Sequence, residues 1–262
     1  MPSPSSIPTL TRTPTTPVPT LPAEEQEAYL LNLIETNGDC ALPCFLGIQP
    51  GVSSWEDIRL IEGPMYFREH YLPKDDRIKL YTNSSAIRNF DVRFWGSGAL
   101  IEHITVDARI YLPNDPYEYV PAFAKAMRQY ALPNFLARYG VPSRILLQAL
   151  GQIEPEAGTQ AEVLLFYDNT GFIAQYFFLN VVTQDHETSV LRTCLDYGHT
   201  EVIRLYLQAP EDKTPLEKMV GGTNDYYFNS LLQPVEKITA LSVEDFYRLF
   251  VAPTENACFE VP

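Results

Sequence analysis

Positive charge is scarce. The chain of 262 residues carries 19 lysines and arginines against 33 aspartates and glutamates, a formal net charge of −14. Such a surface repels phosphate backbones, and no run of Lys or Arg makes a local exception, so nucleic acid is not an expected partner. Long hydrophobic runs are missing too. No uninterrupted apolar stretch approaches the roughly 18 residues that span a bilayer, so no transmembrane helix is expected. Local signatures of catalysis are also absent. There is no Gly-x-x-x-x-Gly-Lys-Ser/Thr phosphate loop, no Gly-x-Gly-x-x-Gly, no Gly-x-Ser-x-Gly elbow and no His-Glu-x-x-His. No cofactor and no catalytic residue is therefore expected from local pattern, although a triad assembled from distant residues leaves no such trace.

What is present suits a globular protein. Apolar residues make up 45% and charged residues 20%, enough for a sizeable core in one large domain or two small ones sharing it. Ahead of that core, almost every residue from Pro2 to Pro22 is Pro, Ser or Thr, as in Thr13-Pro14-Thr15-Thr16-Pro17-Val18-Pro19-Thr20. Proline removes backbone donors and Ser/Thr bury little apolar area, so residues 1–22 are expected to form a disordered, extended spacer. The two readings of such a spacer are a tail of no consequence and a tether that holds a folded domain away from a surface. Met1 leads straight into it, with no charged n-region, apolar h-region or cysteine. Either a targeting segment is absent from this version of the chain or the protein is cytosolic. With the spacer and the cysteines, the expected location is extracellular or in the cell envelope, through an anchor not present in this chain. It becomes cytoplasmic if Met1 is the true start and the cysteines are free.

The cysteines bear on that choice. Cys40, Cys44, Cys194 and Cys258 form an even, sparse set that suits two disulfides in an oxidising compartment. Cys40 and Cys44 flank Ala41-Leu42-Pro43, where one helical turn or a tight loop brings a pair within bridging range. A bond from Cys258 to Cys194 would pin the chain terminus to a strand. Four free thiols and a zinc site are the alternatives, though zinc wants close ligand pairs and Cys194 with Cys258 is not one.

Helix and strand patterns alternate in blocks. Ala23–Thr36 reads as a helix, with Glu24, Glu25 and Glu27 at its positive end, Leu30, Leu33 and Ile34 on one stripe, and Asn37-Gly38 ending it. Ser53-Ser54-Trp55-Glu56 has capping-box spacing and opens a short helix through Ile58 and Ile61. Strands follow around Ile78 and Leu80, then Phe90, Val92 and Phe94, then a long alternating run from Leu100 to Leu112. On that run the polar face carries His103, Thr105, Asp107 and Arg109, with Glu102 the one polar residue on the apolar face. A second cycle begins near Tyr117 with two short helices, the second ending at Gly140. Val163–Tyr167 and Phe172–Leu179 flank the hairpin signal Asp168-Asn169-Thr170-Gly171, and both faces of the second strand are apolar, so it is expected to be central. Val190–Leu195 and Val202–Leu207 read as another strand pair around Tyr197-Gly198-His199. Thr214-Pro215-Leu216-Glu217 and Ser242-Val243-Glu244-Asp245 open the last helices. Helices and strands in blocks, without βαβ alternation, indicate the α+β class. The echo between the cycles predicts a tandem duplication, with units over 23–113 and 114–262. One continuous sheet with coincidental similarity is the alternative.

The stretch Cys40-Ala41-Leu42-Pro43-Cys44, followed by Gly47-Ile48-Gln49-Pro50-Gly51 and Ser53-Ser54-Trp55-Glu56, resembles a group of uncharacterised bacterial predicted lipoproteins. Those proteins carry a Ser/Thr/Pro spacer ahead of C-x-L-P-C-(aromatic)-x-G-I-x-P-G-x-(S/T)-(S/T)-W. The ending Ser242-Val243-Glu244-Asp245-Phe246-Tyr247, with Cys258 near the terminus, is similar as well. The chain departs from the pattern at Phe45-Leu46. The resemblance implies an envelope location and brings no activity. In layout only, the plan is similar to small outer-membrane assembly lipoproteins and to the tandem inhibitor of β-lactamase, and layout does not carry function.

Candidate chemistry is thin. Asp185, His186 and Glu187 form a dense polar triplet, with His199 on a nearby turn, and two imidazoles with two carboxylates suit a divalent metal. A solvated turn is the plainer expectation. His103 and Asp107 stand on the order of 13 Å apart along one strand face, too far for a hydrogen bond, so with Arg109 they are expected to pair across strands. Glu102 on the apolar face is a candidate buried general acid, though a place at a strand end or beside an arginine is the plainer expectation. Tyr226, Tyr227 and Phe228 follow Gly221-Gly222 and offer a recognition surface for a peptide or sugar, or else cap the core. The leading expectation is an exported, surface-tethered, non-catalytic module that binds a protein or other envelope macromolecule. A secreted hydrolase or metal-dependent enzyme with dispersed residues is the alternative.

Overall fold

Alternation of apolar and polar residues along successive strands sets the architecture. The computed structural model describes residues 21–62, 77–81, 87, 90–110, 121–150, 159–184, 190–221, 232–251 and 257–261. Among the described residues eleven strands run in chain order: β1 Arg77–Tyr81, β2 Phe90–Trp95, β3 His103–Arg109, β4 Arg144–Leu150, β5 Gln160–Tyr167, β6 Phe172–Leu179, β7 Val182–Gln184, β8 Leu191–Cys194, β9 Thr200–Gln208, β10 Gln233–Pro234 and β11 Cys258–Val261. The helices are α1 Ala23–Thr36, α2 Trp55–Glu62, α3 Pro121–Met127, α4 Leu132–Tyr139, α5 Glu217–Gly221, α6 Val235–Ile238 and α7 Val243–Val251. One antiparallel sheet takes eight strands in the order β1-β2-β3-β9-β6-β5-β4-β10, and a second takes three in the order β11-β8-β7. The protein is α+β.

The first face of the large sheet carries the main core. Phe90, Val92 and Phe94 of β2, Ile104, Val106 and Ala108 of β3, and Ile203, Leu205 and Leu207 of β9 are buried on it. Helices cover them with Leu30 and Ile34 of α1, Phe123 and Met127 of α3, Phe135 and Leu136 of α4, and Phe246 and Phe250 of α7. Each of these side chains larger than alanine contributes roughly 1.5–3 kcal/mol by leaving water. β6 is central, between β9 and β5, as its two apolar faces require. Strands from both expected units enter the one sheet. They meet where β3 lies against β9, with Val106 opposite Leu205 and Ala108 opposite Ile203.

Several expectations are corrected. Val190–Leu195 and Val202–Leu207 do not pair with each other: β8 bonds to β11 and β7, while β9 sits between β3 and β6. Most of β9 is buried on both faces, so a central position covers more of it than a two-stranded ribbon would. The run expected to start at Leu100 becomes strand only at His103, because Gly51 N donates to Ile101 O at 2.7 Å and Ile101 N to Ser53 O at 2.9 Å. The capping box shifts by one residue. Asp57 Oδ2 accepts from Ser54 N at 2.7 Å and Ser54 Oγ at 3.0 Å, since Ser53 Oγ is occupied by Gln49 N at 3.0 Å. β4 escaped sequence reading because adjacent Leu146 and Leu147 break its alternation. Leu147 is buried in the main core, and Leu146 packs on the other face.

Candidate functional site

The second face of the large sheet divides in two. Toward β4 it is apolar: Leu164, Phe166, Ile173 and Tyr206 are buried beneath Leu216 and Val220 of the α5 segment and Leu232. Arg144 closes the border, its guanidinium 3.8 Å from the Phe166 ring centroid and bonded to Asp168 at 3.0 and 3.1 Å and to Glu217. Glu217, expected as part of a capping box, is thereby used as an ion-pair partner.

Beyond this patch the ladder carries a polar strip. Asp91, Asp107, Arg204 and Gln175 stand opposite one another across β2, β3, β9 and β6. Two acids facing each other on neighbouring strands would repel, and each is matched by a guanidinium. Arg204 Nε donates to Asp107 Oδ2 at 2.6 Å, and Arg93 approaches Asp91 at 3.4 Å. Gln175, buried, links the strip to its neighbours: Tyr206 OH donates to its Oε1 at 2.9 Å, and its Nε2 donates to Glu162 Oε1 at 2.6 Å. Arg204 also lies 5.1 Å from the Phe177 ring centroid, a cation–π distance.

Burial shapes the electrostatics here. It pushes the Glu162 carboxyl above its ordinary range, against the Gln175 hydrogen bond and the Arg204 charge. Burial likewise raises Glu201, with Arg109 and Arg204 opposing, and pushes Tyr206 up to about 12. Burial works against the Arg204 charge, but the Asp107 carboxylate outweighs it and keeps the guanidinium ionised. The strip is thus a fixed pattern of guanidinium, carboxylate, amide and ring, each held by a neighbour before anything binds. That arrangement suits recognition, because little side-chain freedom remains to be lost.

The cysteines form two disulfides, with Cα–Cα distances of 5.9 Å for Cys40–Cys44 and 4.1 Å for Cys194–Cys258, and none is free. Both the free-thiol and the zinc alternatives fall. Asp185, His186 and Glu187 lie outside the described residues, as do Tyr226, Tyr227 and Phe228. His199 pairs through Nδ1 with Asp196 Oδ2 at 2.7 Å, at the exposed turn Tyr197–His199. Among the described residues no group of three metal-ligating side chains forms. Asp107 makes the expected cross-strand pair, with Arg204. His103 Nε2 approaches Asp212 Oδ2 at 3.8 Å, and Glu102, at a strand end, accepts from Ser97 Oγ at 2.6 Å.

Sequence reading missed Arg204, Gln175 and Glu162. The available signal was one or two polar residues inside otherwise apolar strands, as in Val202-Ile203-Arg204-Leu205-Tyr206-Leu207. Which of them share a face became visible only with the strand order.

The fold and the strip together define an α+β protein with two disulfides, whose large antiparallel sheet carries the main helical layer on one face and, on the other, a preorganised polar strip beside the patch that α5 covers. No family model matches the chain, and neither a curated protein nor a solved structure does.

Proposed function

We propose that the protein is a non-catalytic, exported module, held near a cell surface by its Pro/Ser/Thr-rich spacer, that binds an envelope macromolecule through the polar strip of its sheet. The carrying observation is the commitment of all four cysteines to disulfides. Disulfides of this structural kind persist where glutathione and thioredoxin do not reach them. The resemblance of the Cys-x-Leu-Pro-Cys stretch to bacterial lipoproteins belongs to the same proposal. The tandem reading also stays within it, supported by the meeting of β3 and β9, the last long strands of the two halves, at the join.

The test is alkylation in intact cells, followed by fractionation and mass measurement. The expected protein sits in the envelope or extracellular fraction and takes up alkylating reagent only after reduction. A cytosolic protein with four reactive thiols would end the proposal. For the strip, Arg204→Ala should weaken adhesion to isolated envelope material at least about fivefold, the scale of losing a charge-assisted contact. Unchanged adhesion would remove the strip from the binding surface.

A further inference from the structure

A second surface is built from three segments that meet beside the β2–β3 connection. Ser54 bridges to Leu100, and Gly51 N and Ile101 N bond across to Ile101 O and Ser53 O. Trp55 Nε1 donates to Gly98 O at 2.8 Å, and Ser97 Oγ to Glu102 at 2.6 Å. A Cβ on Gly96 would stand 2.2 Å from the backbone oxygen of Leu100, and one on Gly51 2.8 Å from Ala209 Cβ, so both loops are closely packed at their glycines. Two large aliphatic side chains project from this tied knuckle: Val52 is 62% exposed and Leu100 43%. Leu100 was expected on the strand's buried face, and the loop turns it out.

Single exposed aliphatics are ordinary on protein surfaces. Two on adjoining, mutually bonded loops are a different arrangement, because the backbone has already lost the freedom that docking would otherwise remove. Along these segments negative charge prevails. The segments carry Glu56, Asp57, Glu102, Glu211 and Asp212, against Lys213 as the one lysine or arginine in 47–57, 96–102 and 209–213. Carboxylates in this position repel an anionic lipid surface and favour a protein whose apolar socket is rimmed by Lys and Arg.

We propose that the knuckle bearing Val52 and Leu100 is a protein-docking site whose partner presents an apolar socket with a basic rim. This surface is separate from the polar strip, and the proposal stands whether or not the protein is exported.

The experiment places photo-crosslinking benzoylphenylalanine at position 100 of the full chain in the cells that make it, with position 141 as control, since Val141 is equally exposed at 43%. One discrete adduct with a different protein is expected at position 100 and not at 141. That protein, purified, is then titrated with the chain. Val52→Asp should weaken binding at least about tenfold and Glu211→Lys at least about threefold, as should raising salt from about 50 mM to about 300 mM. Both side chains are exposed, and an unchanged circular dichroism spectrum separates a docking defect from misfolding. The proposal is overturned by equal labelling at both positions, by an adduct of two copies of this chain, by a lipid adduct, or by binding indifferent to salt and to Glu211→Lys.

Discussion

Asn37 shows how much of this fold hangs on single polar side chains. It ends α1 in the left-handed region, with φ of 56°, and is wholly buried. Its Nδ2 donates to Cys40 O at 2.9 Å and Cys44 O at 2.8 Å, while its Oδ1 accepts from Leu46 N at 3.1 Å. The Cys-x-Leu-Pro-Cys loop is therefore wrapped around one amide. Next to it, a Cβ on Gly38, whose φ is 60°, would lie 2.4 Å from Gly47 N, so only glycine fits. Asn37→Ala removes the side-chain partner of two buried backbone groups, Cys44 O and Leu46 N, and of the part-buried Cys40 O, and should cost about 2–4 kcal/mol in urea unfolding, with the disulfide intact. Asn37-Gly38 was readable as a helix stop. Its second role was not, because its partners arrive from a loop whose path the sequence does not state. Glu162 supplies a pH prediction. Its folded pKa is raised, by burial first, so the folded state holds this proton more tightly than the unfolded chain does. The contribution to stability is present at low pH and is lost as pH rises from the ordinary glutamate value of about 4.3 through the raised one. Glu162→Gln should flatten that decline, seen as a smaller change in unfolding midpoint across this window. An unaltered slope would contradict the assignment.

At the scale of elements, covalent and capping devices fix pieces that pairing alone holds weakly. β11 has only Cys258–Val261 to hold it on β8, and Cys258 stands directly opposite Cys194. Phe259 of this strand packs against Phe246 and Phe250 of α7, so pinning the strand also pins the last helix. The disulfide closes a separation of 64 residues, whereas Cys40–Cys44 closes 4. In chain-entropy terms the long closure stabilises by about 4 kcal/mol and the short one by about 2 kcal/mol. Cys194→Ser with Cys258→Ser should thus lower the urea midpoint more than Cys40→Ser with Cys44→Ser, and the reverse order would show that local geometry outweighs closure. The α7 start was legible: Ser242 Oγ and Asp245 bond reciprocally, at 3.1 Å for Asp245 N to Ser242 Oγ, as the spacing of four consecutive residues implied. The α2 start was legible only to within one residue, since a competing bond from Gln49 N took Ser53 out of the box.

Across the whole molecule, the join of β3 and β9 makes the two halves one object. Val106 and Leu205 face each other in the same buried cluster that contains Leu30 of α1 and Phe250 of α7. The Asp107–Arg204 pair crosses this join on the opposite face. A core shared in this way predicts one cooperative unfolding transition, with calorimetric and van't Hoff enthalpies in agreement. Leu205→Asp, which places a charge at the join without a partner, should unfold both halves together. Two separated transitions in calorimetry would show instead that the halves are independent units.

The α+β class, the helix over Ala23–Thr36, the central place of Phe172–Leu179 and the capping residues of the last helix follow from periodicity and local hydrogen bonding, which act within a few residues and are written in the chain. The partners of β8 and β9, the gathering of Arg204, Asp107, Gln175 and Glu162 into one strip, and the outward turn of Leu100 were decided by tertiary structure. Strand pairing is set by which faces can be buried together across long separations. A residue's neighbours on a sheet are therefore a property of the assembled core and not of the segment that carries it.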